Sequence, residues 1–367
     1  MTSEQEDTLA LFGVPGIGAK TFARLVGRFG SPEAVFDASD GDLLAMDGIG
    51  PVLVRNLRTY DRHAFVDEQK RLMEKCGAQL LIRQSEQYPP LLNRFSSAPP
   101  VLFVLGNIEI LSRQSLAFVG TRSPSEYGIT MTGRLVGGAV SAGLCVVSGM
   151  AAGIDAAAHR AALDYGGKTV AVFGSGVDVV YPAQNLKLSE DIIGNGCVVS
   201  HFPMGTSPLR GNFPARNAVI VGLSLGTVVV EAPKKSGALI TADLTMRAGR
   251  KLFAVPGNAT SRTSEGTNAL LTKGAYPALG IEQVLTVLGK PVPPSVAAVH
   301  TAPPRKERPL PPGVGSEILK ALDVKPLHVD DLSGRLGIPV FELLTELTML
   351  ELDGYIRQNP GKIFEKS

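Results

Sequence analysis

The feature that most constrains the fold is a regular alternation of apolar runs and helical stretches between residues 111 and 288. The apolar runs are SLAFVG, LCVVSG, KTVAVFG, CVVSHF, GTVVVEA and KLFAVPG, and each is followed by a turn marked by glycine or proline. Continuous apolar runs are typical of strands buried on both faces of a sheet. Strand–helix units with right-handed crossovers then predict an α/β fold, a Rossmann-like doubly wound parallel sheet.

The flanks of this region differ from it. Residues 1–62 predict a small all-α domain, in which Gly16-Ile17-Gly18 recurs as Gly48-Ile49-Gly50. Each repeat resembles the turn of a helix-hairpin-helix (SAM-like) motif, whose amides can bind a DNA phosphate. A purely structural turn is the alternative, and the acidic local charge favours it. Residues 63–110 predict a helix, a short strand and a proline-broken segment packed on the sheet, which extends the core domain to 63–288.

The C-terminal part predicts a linker and a third domain. Residues 289–313 contain eight prolines, which disfavour a packed element. Residues 314–367 predict three helices and a hairpin, the order of a winged helix. Its third helix contains Glu342 and Glu346, with Glu351 at its end, and no Lys or Arg. Such a helix would repel phosphates, so we expect this domain to bind protein or to regulate rather than to bind DNA.

Charge is distributed unevenly along the chain. Residues 1–62 and residues 314–367 each contain six Lys/Arg and nine Asp/Glu, a net of −3 apiece. Because the whole chain carries +2, the middle carries +8. A polyanion is therefore expected to bind the middle of the chain.

Several classes of protein are disfavoured. The acidic start lacks the pattern of a secretory signal, and no run of about 18 apolar residues is present, so we expect a cytoplasmic protein without a membrane span. The three cysteines, Cys76, Cys145 and Cys197, lack the spacing of a zinc or redox site, so we expect no metal. Neither G-x-G-x-x-G after the first strand nor a P-loop occurs, so we expect no nucleotide cofactor.

Candidate binding residues follow the strands. Ligands of open parallel sheets bind beyond the carboxyl ends of the strands. Four such ends here carry glycine turns with polar or cationic side chains. Along the chain, a predicted helix begins between the third and the fourth of these turns, and its first residues add an aromatic ring and a further cation. The residues predicted to bind DNA are Gly120, Thr121, Arg122, Ser148, Gly149, Gly174, Ser175, Gly176, Lys187, Phe213, Arg216, Asn217, Lys234, Ser236 and Gly237.

These turns also carry a family resemblance. The segments VGTRSPSEYG, VVSGMAAGIDAAAH, VFGSGVDVVYPAQN, NFPARNAVIVGLS, VVVEAPKKSGALITA, GRKLFAVPG and SEGTNALLTKGA occur in this order. Together they resemble the signature of the DNA-processing protein A (DprA/Smf) family. The resemblance implies single-stranded-DNA binding, a homodimer formed through the core, loading of the RecA recombinase, and a role in natural transformation. A contact with single-strand-binding protein is a further expectation.

The resemblance also bears on individual residues. By motif match, Arg122 and Lys187 fall where the family contacts the DNA backbone. Ala218 stands where many relatives have a basic residue, which weakens the expected contribution of that helix. A flexible single strand can bend into successive phosphate-sized pockets, whereas a stiff duplex cannot, and Phe213 and Tyr181 are available for stacking.

One enzymatic alternative stays open. Nucleotide hydrolases of the lysine-decarboxylase-like Rossmann group use an Arg/Glu pair, which Arg216 and Glu231 could imitate. Lysines stand here where that group has glycines. Asp155 and His159, at i and i+4 on one helix face, could form an acid–base pair, but no nucleophile or metal ligand accompanies them. We therefore expect a binding protein and not an enzyme.

Overall fold

The computed structural model describes residues 1–95, 97–293, 313–323, 326–353, 355–359 and 361–366. These residues form two compact units, Met1–Pro304 and Arg305–Ser367. Most of the predicted linker, 294–312, lies outside the described residues. The boundaries predicted at 62/63 and 288/289 stay predictions.

The first unit begins with a small helical domain. Its helices are α1 (Ser3–Gly13), α2 (Ala19–Phe29), α3 (Pro32–Asp37), α4 (Asp40–Leu44) and α5 (Pro51–Thr59). Each Gly-Ile-Gly turn leads directly into a helix, since Gly18 precedes α2 and Gly50 precedes α5. The isoleucine of each turn, Ile17 and Ile49, is buried in the core of this domain.

Nine strands of the described chain form one sheet in the first unit. They are β1 (Gln79–Ile82), β2 (Val101–Gly106), β3 (Ser115–Val119), β4 (Cys145–Ser148), β5 (Thr169–Val172), β6 (Cys197–Ser200), β7 (Gly226–Val229), β8 (Lys251–Ala254) and β9 (Tyr276–Pro277). The order across the sheet is β1-β2-β6-β5-β4-β3-β7-β8-β9. Strands β3 to β9 pair in parallel, whereas β1 and β2 are antiparallel additions at one edge.

Helices cover the sheet on both sides. They are α6 (Arg62–Cys76), α7 (Pro90–Asn93), α8 (Glu126–Ser141), α9 (Ile154–Asp164), α10 (Leu186–Asn195), α11 (Asn212–Leu223), α12 (Ala238–Arg247), α13 (Glu265–Thr272) and α14 (Ile281–Val287). Side chains of β3 alternate between the two layers. Leu116 and Phe118 pack in the core that includes α8, α9 and α14, and Ala117 and Val119 pack in the core that includes α11 and α12. This is the predicted doubly wound architecture.

The helical domain is attached to the antiparallel edge of the sheet. The Gln5 side-chain amide donates a hydrogen bond to the Leu80 carbonyl at 3.0 Å, and Lys70 of α6 forms an ion pair with Glu6 of α1 at 2.7 Å. Leu9 of α1 is buried with Phe103 of β2. The sequence predicted the strand at 80–83 but indicated only a packed appendage for residues 88–107, whereas Val101–Gly106 is in fact a strand of the sheet.

The second unit has the order of a winged helix. Its elements are α15 (Val314–Ala321), β10 (Leu327–His328), α16 (Val329–Leu336), α17 (Val340–Leu352), β11 (Ile356–Asn359) and β12 (Ile363–Lys366). Ile318, Leu332, Leu347 and Phe364 fill its core. In the described parts of both units, no helix combines the length and apolar character that crossing a bilayer requires.

Candidate nucleic-acid interface

The sheet order reverses between β3 and β7. Strands β4, β5 and β6 follow on one side of β3, whereas β7, β8 and β9 follow on the other. The connections that leave β3 and β7 therefore diverge and leave a crevice outside their carboxyl ends. A cavity of about 760 Å³ lies there, lined by residues of the loops that follow β3, β4, β7 and β8 and by the start of α11.

The first wall of the crevice is the turn after β3. The Thr121 amide donates a hydrogen bond to the Glu231 carbonyl at 2.7 Å, and the Thr121 carbonyl accepts one from Ile154 at 3.1 Å. Gly120 has no room for a side chain, because a Cβ there would collide with Ile154. These contacts fix the turn, and Arg122 projects from it as an exposed side chain with its guanidinium 5.8 Å from the centre of the Phe213 ring.

The opposite wall combines the start of α11 with the loop between β7 and α12. Neither helix has a side-chain cap from its N-cap glycine, Gly211 or Gly237, and the amino ends of helices carry positive potential. Phe213 is half-buried against Gly174, and the Tyr181 ring lies 6.1 Å away. An aromatic surface therefore lies beside the cationic turn.

Positive charge dominates the lining. Two carboxylates, those of Asp155 and Glu265, line the crevice together with one buried and five exposed cations. The exposed ones are Arg122, Arg210, Lys234, Lys235 and Arg262. Across the described residues none of these five forms an ion pair, so their charges remain available to an anion.

Arg216 occupies a different position from the exposed cations. Its guanidinium is buried and donates hydrogen bonds to the carbonyl of Val172 at 2.7 Å and to that of Gly149, while its Nε donates to the Asn217 side chain at 3.0 Å. Burial lowers the pKa of Arg216 to about 10, and the nearby Asp155 opposes this shift. Arg216 therefore joins the ends of β4 and β5 and contributes a fixed positive charge beneath the crevice.

The structure brings nine of the predicted residues together in the lining. These are Gly120, Thr121, Arg122, Phe213, Arg216, Asn217, Lys234, Ser236 and Gly237. The other six lie outside it: Ser148, Gly149, Gly174, Ser175, Gly176 and Lys187. Ser148 and Ser175 are buried and donate to the carbonyls of Phe118 and Val179, each at 2.6 Å, so they shape the strand ends.

Lys187 is exposed on α10 and already has partners. Its ammonium lies 3.3 Å from a carboxylate oxygen of Asp191 and 3.7 Å from one of Glu190. The hydrogen bond to Asp191 raises the pKa of Lys187. The side chain therefore keeps its positive charge, which the two neighbouring carboxylates partly neutralise. Its assignment as a DNA contact stays a prediction.

Arg210, Lys235 and Arg262 were not among the predicted residues. Arg210 precedes α11 by two residues, and Lys235 follows Lys234 directly. Arg262 lies in the turn that follows β8, so the same strand-end rule applied to β8 would have found it.

The residues of the enzymatic alternative are engaged elsewhere. The Glu231 carboxylate accepts hydrogen bonds from Ser125 and Thr263, and Arg216 binds the two carbonyls, so the supposed pair shares no contact among the described residues. Asp155 accepts a hydrogen bond from the Gly149 amide, and His159 is buried against Thr169 at 2.7 Å. Asp155 and His159 therefore make separate structural contacts.

Comparison with known proteins decides the family. The family model for DNA recombination-mediator protein A matches residues 79–289. The chain belongs to this family. Two further models match its flanks: a SAM-like tandem helix-hairpin-helix at residues 8–59 and the DprA winged-helix domain at residues 301–362. The predicted family and fold class are thus confirmed.

Similar proteins agree with this assignment. Protein Smf of Synechocystis is 32% identical over 99% of both chains, and Protein Smf of Escherichia coli is 36% identical over 79% of this chain and 78% of its own. The crystal structure of DNA processing protein A from Streptococcus pneumoniae has a TM-score of 0.68 at 31% identity, and the match covers 78% of this chain and 98% of that one.

A second similar solved structure comes from a study of single-stranded-DNA binding. DNA processing protein A from Helicobacter pylori, reported for its single-stranded-DNA binding mode, has a TM-score of 0.52 at 30% identity. The match covers 57% of this chain and 95% of that one.

Proposed function

We propose that this chain binds single-stranded DNA in the crevice between the ends of β3 and β7. The observation that carries the proposal is the set of five exposed cations without ion pairs that lines this crevice beside the Phe213 ring. Cations neutralise successive phosphates, and an aromatic face stacks with any base. The Helicobacter pylori relative, reported for its single-stranded-DNA binding mode, supports the same ligand.

The test compares one oligonucleotide as a single strand and as a duplex. Fluorescence anisotropy should give tighter binding of the single strand, and reversing two charges in Arg210→Glu/Arg262→Glu should weaken it strongly. Arg28→Glu is the matched control, because Arg28 is an exposed arginine of the helical domain outside the crevice lining. Full binding by the double variant would place the site elsewhere.

In the cell, the bound strand is passed to a recombinase. We infer that the protein protects incoming DNA during natural transformation and loads RecA onto it, displacing or contacting single-strand-binding protein. Family membership supports this role. RecA strand exchange on DNA coated with single-strand-binding protein should accelerate when this protein is added, and an unchanged rate would contradict the loading role.

The proposal includes a homodimer formed through the core in the cytoplasm, again on family grounds. Sedimentation at micromolar concentration should give the mass of two chains. A monomer at that concentration would contradict it.

We infer that the protein has no catalytic activity of its own. The engagement of Glu231 and Arg216 in separate contacts supports this inference. Release of ribose phosphate from nucleoside monophosphates, abolished in Glu231→Gln, would establish the hydrolase instead.

A further inference from the structure

The Glu231 carboxylate is a buried charge at the centre of the strand ends, and only 1% of the residue is exposed. It follows β7 directly and accepts three hydrogen bonds. One oxygen accepts from the Ser125 amide at 2.8 Å, and the other accepts from the Ser125 hydroxyl at 2.6 Å and from the Thr263 hydroxyl at 2.8 Å. A buried carboxylate needs such donors to offset its desolvation.

These donors belong to two loops that carry crevice cations. Ser125 is the N-cap of α8 and ends the turn that begins with Gly120 and holds Arg122. Thr263 is adjacent to Arg262 in a short 3-10 helix, Arg262–Ser264, within the loop that follows β8. The main chain reinforces the arrangement, since the Thr121 amide donates to the Glu231 carbonyl and the Ala232 amide donates to the Thr263 carbonyl at 2.8 Å.

The surrounding space is shaped for this carboxylate. A Cβ at Gly128, in the first turn of α8, would collide with the Glu231 carboxylate, so the close approach of α8 requires glycine there. Glu231 itself is not part of the crevice lining, so it touches no bound polyanion directly.

We propose that Glu231 is a positioning residue that holds the loops of Arg122 and Arg262 at the spacing a phosphate chain requires. The inference rests on the proposed function of the crevice. The proposal predicts that removing this negative charge changes DNA affinity in the direction opposite to that expected from charge repulsion alone. A negative charge near the crevice repels DNA, so its removal alone should tighten binding, whereas loosening of the two loops should weaken it.

Glu231→Gln separates these effects, because glutamine keeps the shape, removes the charge and cannot accept all three hydrogen bonds. In the full-length protein we expect single-stranded-DNA binding at least about tenfold weaker, the scale of one charge-assisted hydrogen bond. The salt slope should fall by between about 0.7 and about 1.4, which corresponds to one or two phosphate contacts. Tighter or unchanged binding by a folded Glu231→Gln protein would overturn the proposal.

Asp42→Asn is the matched control. Asp42 also accepts a hydrogen bond at 2.6 Å from the hydroxyl of an N-cap serine, Ser39, but in the helical domain. Its replacement should leave DNA affinity and salt slope at wild-type values. A loss equal to that of Glu231→Gln would show that any such carboxylate has this effect, and would overturn the proposal.

Thr263→Val provides a second route that leaves the buried carboxylate in place. It removes the hydrogen bond to Glu231 and the one that the Thr263 hydroxyl shares with Ser261 at 3.0 Å, both on the side of Arg262. We expect weaker binding in the wild-type background but no further loss in an Arg262→Ala background. An equal loss in both backgrounds, or no loss in either, would overturn the proposal. If the wild-type protein itself fails to bind single strands, the proposed function fails and not this inference alone.

Discussion

Replacement of Arg122 by alanine removes the guanidinium that lies over the Phe213 ring on one wall of the crevice. The side chain is exposed and forms no ion pair within the described structure. A purely structural Arg122 would instead bridge its turn to Asp155 or Asp178. These two carboxylates accept hydrogen bonds from the amides of Gly149 and Gly205. The substitution therefore removes from the folded protein an exposed cation–π interaction at 5.8 Å, worth about 0.5 to 1 kcal/mol.

The effect on binding should be larger than the effect on stability. A hydrogen bond from a charged group is worth about 1.5 to 3 kcal/mol, so affinity should fall roughly tenfold to one-hundredfold for every sequence alike. The salt slope should fall by about 0.7, the value for one phosphate contact on a single strand. Arg122→Lys should restore only part of the affinity, because an ammonium cannot reproduce the planar fork of a guanidinium.

The assay measures anisotropy at several salt concentrations and thermal unfolding of the same samples. Arg28→Ala is the control, because Arg28 is an exposed arginine 5.9 Å from the ring centre of Phe29 and lies outside the crevice lining. Both variants should lose little thermal stability, and only Arg122→Ala should show a reduced salt slope. A strongly destabilised Arg122→Ala protein with a wild-type slope would refute the phosphate contact.

Three further predictions follow from other parts of the structure. Lys187→Ala should lower the salt slope by less than about 0.7, because Glu190 and Asp191 already neutralise part of its charge; an equal slope change in Lys187→Ala and Arg122→Ala would contradict this. Deletion of residues 314–367 should leave single-strand affinity within a few fold in the same anisotropy assay, since the exposed Glu342 and Glu346 of α17 repel phosphates; a hundredfold loss would contradict this. Burial lowers the pKa of His159 to about 3 and that of His201 to about 4, so the unfolded chain binds more protons and the free energy of unfolding should fall as pH drops below about 6.5. Urea unfolding at pH 7 and pH 5 should show this fall and a smaller one in His201→Gln.

The sequence predicted most of the parallel sheet because its strands are continuous apolar runs. Val146, Val147 and Val170 are buried on both sides of the sheet, so these segments carry no alternating pattern that could suggest another fold. Strand β2 was harder to predict, because Val101–Gly106 follows two prolines and pairs with β6, a strand more than 90 residues later. Local patterns do not specify such a distant partner.

Only part of the candidate site was predicted, because local sequence patterns again lack the long-range information. Glycine turns reveal where strands end, which identified Arg122 and Lys234. They do not reveal which way a side chain points, so Arg216 and Arg122 were given the same role although one binds buried carbonyls and the other is exposed. The strand order, which brings the turn of Arg262 beside that of Arg122, comes from long-range pairing.

The salt dependence of single-strand binding by the full-length protein tests the central claim most directly. If each of the five exposed crevice cations neutralises one phosphate, log K should fall with log salt at a slope of about −3.5, and it should do so alike for all sequences. The same measurement on the Arg210→Glu/Arg262→Glu variant should give a much shallower slope. A slope near zero for the wild type, or a wild-type slope in that variant, would contradict the assignment of this crevice as the DNA site.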